Sequence, residues 1–332
     1  MRIVYLIGNG FDLAQGLKTT YNQFYKERIL KASFPSGILK TLQNSIKEDV
    51  TSWADLEKRL GEFTTEMTGL EDVDTVYDYL KKELRDYLNE EESRIAVSPE
   101  KCLRNRSILL FPESKLPPES EGAIQAHIKN LTSSNKICDI DVISFNYTSA
   151  FEKVIGYDGN PIAIGKRDDD INVKLNTIYK VHGALNREII FGVADTEQIA
   201  NKSLAQDMDA TDVLVKTRTT AIRRDYVSKR CADLIKKADI IVMYGLSIGE
   251  TDRNWWKLVT DRLQTNSSAR LIIYGHLEDD SLLSDYPRIS RKERALYKKL
   301  YTCNGATNIK FTRLDQQIYI SLDSSIFKGI TD

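Results

Sequence analysis

The chain has 332 residues, of which 41% are hydrophobic and 29% charged, an ordinary composition for a globular protein with one sizeable core. Its formal net charge of −1 gives no electrostatic reason to expect DNA or RNA as a partner. No apolar run approaches the roughly 20 residues that a membrane span needs, and the four cysteines lie far apart without CxxC spacing. These features argue against a zinc ribbon, a disulfide framework and a membrane partner, and they predict a cytoplasmic protein.

Short apolar runs are typical of strands buried on both faces, and they predict a parallel sheet covered by helices. The predicted strands are Ile3–Ile7, Asp141–Phe145, Ile178–Val181, Glu188–Phe191, Ile240–Tyr244 and Leu271–Tyr274, with Asn308–Arg313 as a weaker candidate. Gly, Asn or His closely follows each of the first six. Because the carboxyl ends of parallel strands line the ligand crevice, these residues are expected to cluster where a ligand binds.

Helical patterns occupy most of the chain between the first two predicted strands. Apolar residues in 73–88 recur at three- and four-residue spacing, as an amphipathic helix requires. Ser52–Asp55 resembles a capping box that opens a helix through Leu60. Four prolines in 93–120 predict an exposed connection, and a second helical stretch is predicted over about 211–237.

The chain is therefore predicted to be a single α/β domain, with a core of about residues 1–32 and 137–332. Residues 33–136 would be a helical insertion or cap that follows the first strand–helix unit. Within it, Trp53 and Glu57 lie four positions apart and would share a helix face. They are either a packing tryptophan with a surface glutamate, or part of a face that gates the pocket or mediates assembly.

A glycine turn directly follows the first predicted strand, in the run Ile7-Gly8-Asn9-Gly10-Phe11-Asp12. Glycines let the backbone approach a phosphate, and the next helix would offer free N–H groups. Asn-Gly is also a hairpin signal, but Phe11–Phe24 does not alternate like a returning strand. Leu13 stands at the third glycine position of the dinucleotide fingerprint, and no Walker A motif is present. The turn predicts nucleotide binding without either standard motif.

Two further strand ends carry residues suited to chemistry. Asn146, in Ser144–Thr148, can present both an acceptor and donors to a ribose or a water, although an isolated asparagine is more often a cap or turn residue. His182, in Val181-His182-Gly183, suits proton transfer near neutral pH, although a lone histidine is more often structural. The position of each residue at a predicted strand end favours a functional role.

The strand predicted at Ile240–Tyr244 also ends in a glycine turn. Its Gly245 and Ser247 could bind a second phosphate or a ribose. The alternative is a helix entry capped by Thr251, followed by two tryptophans that serve as core packing.

Taken in chain order, these motifs resemble the nucleotide-binding core of sirtuins. The matching segments are Gly8-Asn9-Gly10, Phe145-Asn146-Tyr147, His182-Gly183, Phe191-Gly192 and Gly245-Leu246-Ser247. More specifically, the opening of the chain resembles that of the abortive-infection H (AbiH) family. The segments that carry this second resemblance are Ile7–Leu13, Gly16-Leu17, Thr19, Tyr21, Trp53–Glu57, Phe145–Thr148 and His182-Gly183. The resemblance runs from Ile3 to about Tyr274.

The resemblance implies a sirtuin-like, Rossmann-type parallel sheet flanked by helices, with NAD as substrate or ligand. The chain lacks the four-cysteine zinc module of sirtuin deacylases, and it has Asp12 where their first turn continues to a serine. It is therefore expected to resemble the NAD-consuming defence proteins that break the nicotinamide–ribose bond, with no zinc and no permanently bound cofactor. The implied catalytic residues are Asn146 and His182, and the implied nucleotide-binding residues are Gly8, Asn9, Gly10, Asp12, Thr19, Gly245, Leu246, Ser247 and Asp252.

Two other functions stay open at this point. The chain could be a sensor that binds NAD, ADP-ribose or a related nucleotide without cleaving it. A nuclease toxin would need a carboxylate cluster for a metal, and Asp168-Asp169-Asp170, in a polar run after Gly165, is interpreted as solvated surface. The expected partners are NAD, a phage-derived trigger or partner defence protein, and further copies of the chain in a homo-oligomer.

Overall fold

The computed structural model describes residues 1–167, 170–222, 226–276, 285–302 and 316–327. Over these ranges the chain forms one mixed β-sheet with helices packed against both of its faces. The seven strands are β1 (Arg2–Ile7), β2 (Ile137–Ser144), β3 (Ile162–Arg167), β4 (Ile171–Lys180), β5 (Ile240–Tyr244), β6 (Arg270–Tyr274) and β7 (Ile318–Ser321). The predicted α/β class is confirmed.

The strand order is β3-β4-β2-β1-β5-β6-β7. Every neighbouring pair is parallel except β3 with β4, which is antiparallel and makes the sheet mixed at that edge. In chain order, β2 and β4 are added to the sheet on one side of β1, and β5, β6 and β7 are then added on its other side. Because the direction of building reverses between β1 and β5, a crevice is expected at the carboxyl ends of these two strands.

The residues of β1 explain why the strand is central. Ile3, Tyr5 and Ile7 belong to one apolar core, whereas Val4 and Leu6 belong to the core on the opposite face. All five side chains are buried. A strand buried on both faces must be apolar at consecutive positions, which is the pattern that predicted it.

The described helices are α1 (Gly10–Ala14), α2 (Tyr21–Phe24), α3 (Ile38–Glu48), α4 (Leu56–Phe63), α5 (Leu70–Glu92), α6 (Pro99–Arg106), α7 (Pro118–Thr132), α8 (Ala150–Ile155), α9 (Lys202–Gln206), α10 (Met208–Leu214), α11 (Lys216–Ile222), α12 (Tyr226–Lys237), α13 (Arg253–Thr265) and α14 (Tyr286–Thr302). The stretch predicted as one long helix over 211–237 thus divides between α10, α11 and α12. Within the described ranges, every helix is too short or too polar to cross a bilayer.

A third apolar core lies apart from the sheet and is built from helices and loops. Most of its members come from the region of α2–α5 and from the segment 185–215 that follows β4, and Tyr147 joins them from just beyond the end of β2. Tyr77 of α5 and Phe191 of that segment stack with ring centroids 4.5 Å apart. The segment after β4 therefore packs with the helices that precede β2.

The predicted insertion, residues 33–136, contributes to two of these cores. Helices α3–α5 build the helical core, whereas Ile124 and Ile128 of α7 pack against the sheet beside β1 and β2. Helix α7 therefore serves as a crossover helix between those strands. The division of the chain into a core and a 33–136 cap stays a prediction.

The strand predicted at Glu188–Phe191 is wrong. This segment makes only an isolated bridge between Ile189 and Gly183, and both Gly183 and Gly192 have positive φ (79° and 144°). Ile189 and Phe191 are buried in the helical core. A buried loop and a buried strand have the same apolar pattern over four residues, so that pattern could not separate them. Strands β3 and β7 were not predicted, and Asn308–Arg313 lies outside the described residues.

The exposed connection predicted for 93–120 is correct only at its two ends, 93–100 and 117–119, which are largely exposed. It contains α6, and Glu113 within it is fully buried. The Glu113 carboxylate pairs with the buried guanidinium of Arg167 on β3, which also donates to the carbonyl of Leu110. Pro99 and Pro118 are the exposed first residues of α6 and α7. The middle of the segment is buried, and there an ion pair and a hydrogen bond to a backbone carbonyl satisfy the polar groups.

The predicted capping residue of α4 shifts by three positions. Asp55 accepts a hydrogen bond from the Lys58 N–H at 3.1 Å and is the N-cap, whereas Ser52 lies in a preceding 3-10 turn. Trp53 lies in that turn, fully buried against Tyr25. Trp53 is therefore a packing residue, and it does not share the α4 helix with Glu57.

Candidate functional site

A cavity of about 490 Å³ lies at the carboxyl edge of the sheet. One wall is formed by the residues that follow four parallel strands: Gly8 after β1, Asn146 after β2, His182 after β4 and Gly245 after β5. Side chains from α2, α4 and α5 contribute the opposite wall. The volume lies in the range of small-molecule sites, so the cavity can take a nucleotide-sized ligand between the sheet and the helical core.

The two glycine turns pack directly on each other. The Gly8 N–H donates to the Tyr244 carbonyl and the Gly10 N–H to the Gly245 carbonyl, each at 2.9 Å. A Cβ atom on Gly10 would lie 2.4 Å from Cα of Gly245, closer than atoms can approach. The glycines therefore permit close contact between the turns that follow β1 and β5, and both of these N–H groups bond within the protein. Phosphate binding at this turn stays a prediction.

Asn9 and Thr19 fasten the first turn to the loop after α1. The Thr19 hydroxyl donates to Oδ1 of Asn9 at 2.6 Å, and Nδ2 of Asn9 donates to the Thr19 carbonyl at 3.1 Å. Both residues line the cavity. The reciprocal pair fixes the shape of this wall.

A buried carboxyl group lies beside Asn146. Nδ2 of Asn146 donates to Oδ1 of Asp12 at 2.8 Å and to the Gly8 carbonyl at 3.1 Å. The Thr148 hydroxyl donates to the other oxygen of Asp12 at 2.6 Å. Burial raises the pKa of Asp12 to about 7, and the hydrogen bond from Thr148 offsets that rise only in part. This carboxyl group can therefore gain or lose a proton near neutral pH.

His182 contacts a chain of buried charged groups. Its Nε2 atom lies 3.0 Å from Oδ1 of Asp252, and the same oxygen lies 2.7 Å from Nζ of Lys216. Lys216 also binds Oε2 of Glu57 at 2.8 Å. His182, Lys216 and Glu57 are each less than one tenth exposed, so Glu57 is not the surface glutamate considered from the sequence.

The ion pairs decide the charge states within this chain. Burial opposes ionisation of Asp252, but the charge of Lys216 and the contact with His182 outweigh it and hold the pKa of Asp252 well below its usual range. Burial likewise favours a neutral Lys216, but the carboxylates of Asp252 and Glu57 hold its pKa above the usual value. Asp252 is therefore a carboxylate and Lys216 an ammonium at neutral pH.

Aromatic rings hold His182 from the side of the sheet. Phe145 meets the His182 ring edge-on at 5.4 Å between centroids, and Trp256 stacks behind Phe145 at the same separation. Trp256 is almost fully buried and donates its indole N–H to the Gly249 carbonyl at 2.9 Å. The interpretation of this tryptophan as core packing is confirmed.

The turn after β5 contains backbone conformations that most residues avoid. Gly245 has φ 67°, and Ile248 has φ 52°, which a β-branched residue rarely adopts. Ser247 lines the cavity, and its carbonyl accepts a hydrogen bond from Nζ of Lys299 at 3.1 Å. Such strain persists where surrounding structure enforces it, often at ligand sites.

The residues predicted for the site lie together, although the cavity also has lining residues that were not predicted, among them Leu84, Gly249 and Lys299. All the predicted catalytic and binding residues line the cavity except Gly10, which lies behind it against Gly245. Lys216 was missed, because one lysine after an apolar run has no signal that distinguishes it from a surface residue. The side chain of Asp170 is 76% exposed, as solvated surface should be, and Asp168 and Asp169 lie outside the described residues.

A second cavity, of about 500 Å³, adjoins the first. The two share His182, Thr251 and Asp252, so these residues form a partition between them. Lys216 and Trp255 line only the second cavity.

The described ranges bring no three His, Cys, Asp or Glu side chains together as a metal site would require. The expectation that the protein holds no zinc stays a prediction.

The chain was compared with known proteins. A family model described as bacteriophage abortive infection AbiH matches residues 4–274, more than half of the chain. None of the curated proteins searched matches it.

Proposed function

Since this chain belongs to the bacteriophage abortive infection AbiH family, we propose that it binds NAD in the cavity at the sheet edge and hydrolyses the nicotinamide–ribose bond. Membership of the family implies a role in abortive infection, the defence of the cell against bacteriophage. Loss of NAD from the infected cell would be the means by which the protein acts.

Asn146 and His182, which follow different strands, line the same cavity as the two glycine turns. A nucleotide with its phosphates toward the turns would place its ribose near these two side chains. Lys299, which lines the cavity beside Ser247, supplies a positive charge for the phosphates.

The reaction makes modest demands on the protein. Water oxygen forms a bond to the ribose carbon, the bonding electron pair leaves with neutral nicotinamide, and the water proton passes to a base. Positive charge develops on the sugar, so a nearby carboxylate stabilises the transition state. His182 is assigned as the base, and the ionised form of Asp12, held by Asn146, as the carboxylate that stabilises the developing charge.

The direct test is to incubate the purified protein with NAD and separate the products by chromatography. Nicotinamide and ADP-ribose are expected in equal amounts. We expect His182→Ala and Asn146→Ala to lower the cleavage rate by about 10²–10⁴, with a modest loss of affinity because other groups hold the phosphates.

A matched control is His127→Ala, since His127 lies on α7 and lines neither cavity. This variant should cleave NAD at the wild-type rate. Wild-type turnover by folded His182→Ala protein would refute the assignment of the base.

A nucleotide sensor without turnover is the second candidate. It is favoured by the side-chain contacts of Asn146, whose Nδ2 bonds Gly8 and Asp12 and so shapes the cavity wall. A sensor would bind NAD and release no nicotinamide, even when supplied with its phage-derived trigger or partner defence protein. Calorimetric binding measured beside the chromatographic assay separates the two functions.

A further inference from the structure

The buried charges beside His182 determine which of its ring nitrogens can take up a proton. Asp252 is ionised, and a carboxylate oxygen only accepts hydrogen bonds. Nε2 of His182, 3.0 Å from Oδ1 of that carboxylate, must therefore be the N–H donor. Neutral imidazole has a single N–H, so Nδ1 is the nitrogen with the lone pair.

Lys216 is the group that keeps Asp252 in place and ionised. Its ammonium binds the same Oδ1 atom at 2.7 Å, and Glu57 holds it from the other side at 2.8 Å. Helix α11 carries Lys216 and α4 carries Glu57, so the helical core and the loop after β5 meet at this ion pair. A buried lysine is costly unless it is paired, and here it has two carboxylates.

We propose that Lys216 is a positioning residue for His182: through Asp252 it fixes the Nε2–H tautomer, so that Nδ1 is the basic nitrogen. The catalytic part of this inference rests on the proposed function, because it makes Nδ1 the atom that accepts the proton from water. The tautomer itself does not depend on any reaction.

The charge of Lys216 also acts on His182 directly. The ammonium and Nε2 contact one oxygen, so they lie within about 6 Å of each other and interact measurably in a buried site. Tyr147, whose ring centroid lies 6.3 Å from that of His182, donates to the Ile190 carbonyl, and burial raises its pKa well above the ordinary value. The remaining charged residues that line the two cavities are Asp12, Asp55, Lys229 and Lys299.

Two substitutions should move the titration of His182 in opposite directions. Lys216→Met keeps a long side chain but removes the cation. The carboxylate of Asp252 then stabilises protonated His182 without a competing positive charge. The midpoint should rise by about one pH unit. Glu57→Gln keeps an acceptor for Lys216 but removes a negative charge, so the midpoint should fall by a smaller amount.

Nitrogen NMR of histidine-labelled protein without nucleotide measures both the tautomer and the midpoint. The chain has three histidines, so His127→Gln and His276→Gln variants assign the His182 signals. The control is Lys58→Met: Lys58 also joins α4 to the segment before Asp252, through Glu250 at 3.1 Å, but its side chain is 49% exposed. Exposed pairs are screened by water, so this variant should leave the midpoint unchanged.

The same variants are then assayed for NAD cleavage across pH. In Lys216→Met the low-pH limb of the rate profile should move to higher pH, with activity recovered above it. In Glu57→Gln the limb should move to lower pH. A merely structural lysine would lower the rate at every pH without moving the limb. If Lys216→Met fails to fold, Glu57→Gln alone tests the proposal: a lower His182 midpoint supports it, and an unchanged or higher midpoint contradicts it.

An Nδ1–H tautomer in the wild type, or midpoints in both variants equal to that of Lys58→Met, would overturn the proposal. If the tautomer and the shifts are as expected but no variant and no wild-type protein releases nicotinamide, the proposed hydrolysis fails. The role of Lys216 beside His182 then stands.

Discussion

Asp12 is only 1% exposed, and its carboxyl group accepts hydrogen bonds from one nitrogen of Asn146 and from the hydroxyl oxygen of Thr148. Its pKa is raised from 3.8 to about 7, first because burial disfavours the charged form. The folded protein therefore binds this proton more tightly than the unfolded chain does. The contribution to stability is complete below about pH 4 and is lost as the pH rises through about 7.

This residue gives a prediction for stability against pH. Asp12→Asn removes the titration, so the wild type should lose stability relative to the variant between pH 4 and 8. The difference should be on the order of 4 kcal/mol, three units of pKa at about 1.4 kcal/mol each. Urea unfolding at several pH values measures it for both proteins.

The control for this prediction is Asp170→Asn. Asp170 has a largely exposed side chain and a left-handed backbone (φ 62°) that asparagine tolerates. It should follow the wild type at every pH. Parallel curves for wild type and Asp12→Asn would show that the carboxyl group is not held neutral in the fold.

At the scale of elements, the contact between the turns after β1 and β5 sets the geometry of the site. It brings Gly8 and Asp12 from the first turn next to Leu246 and Ser247 from the second. Only glycine permits this approach at Gly10, because a Cβ atom would meet backbone atoms that cannot move aside. The motif that suggested phosphate binding therefore has a packing role.

Gly10→Ala should therefore destabilise the protein by about 1–3 kcal/mol, the usual cost of overpacking. Gly122→Ala is the control, since nothing lies within 4 Å of a Cβ atom there and the residue is inside α7. Alanine at that position should stabilise the helix by about 0.5–1 kcal/mol. Equal stability of the two variants, measured by urea unfolding, would contradict the close packing of the turns.

At the scale of the whole molecule, the cavity lies between the sheet and the helical core. Its walls come from both, and the ion pairs of Lys216 with Glu57 and with Asp252 join them beside His182. A ligand that fills the cavity contacts both bodies and should stabilise the folded state by mass action.

This arrangement predicts that NAD raises the melting temperature of the His182→Ala protein, which is expected to bind without cleaving. At about 100 times Kd the gain should be about 2.7 kcal/mol, or roughly 3–5 °C for a chain of this size. ADP-ribose should act similarly, because the turns are proposed to hold its phosphates. Differential scanning fluorimetry with both ligands checks this, and an unchanged melting temperature would argue against NAD as the ligand.

The apolar runs of the sequence correctly predicted β1, β5 and β6 nearly to their ends, because strands buried on both faces are apolar at every position. The same rule failed at Glu188–Phe191, where a buried loop has the same composition. It also missed β3, whose edge position leaves alternate residues exposed. The local sequence pattern indicates whether a segment is buried. Burial alone does not specify which segments the backbone pairs with through hydrogen bonds.

At the site, local sequence patterns predicted which residues follow the strands: the glycines, Asn146 and His182. Parallel strands carry their carboxyl ends to one edge, so those residues had to meet once the sheet formed. The partners of these residues were decided only by the tertiary structure. Lys216 reaches Asp252 and Glu57 from a helix far along the chain, and a buried ion pair depends on packing between elements, which no local sequence signal records.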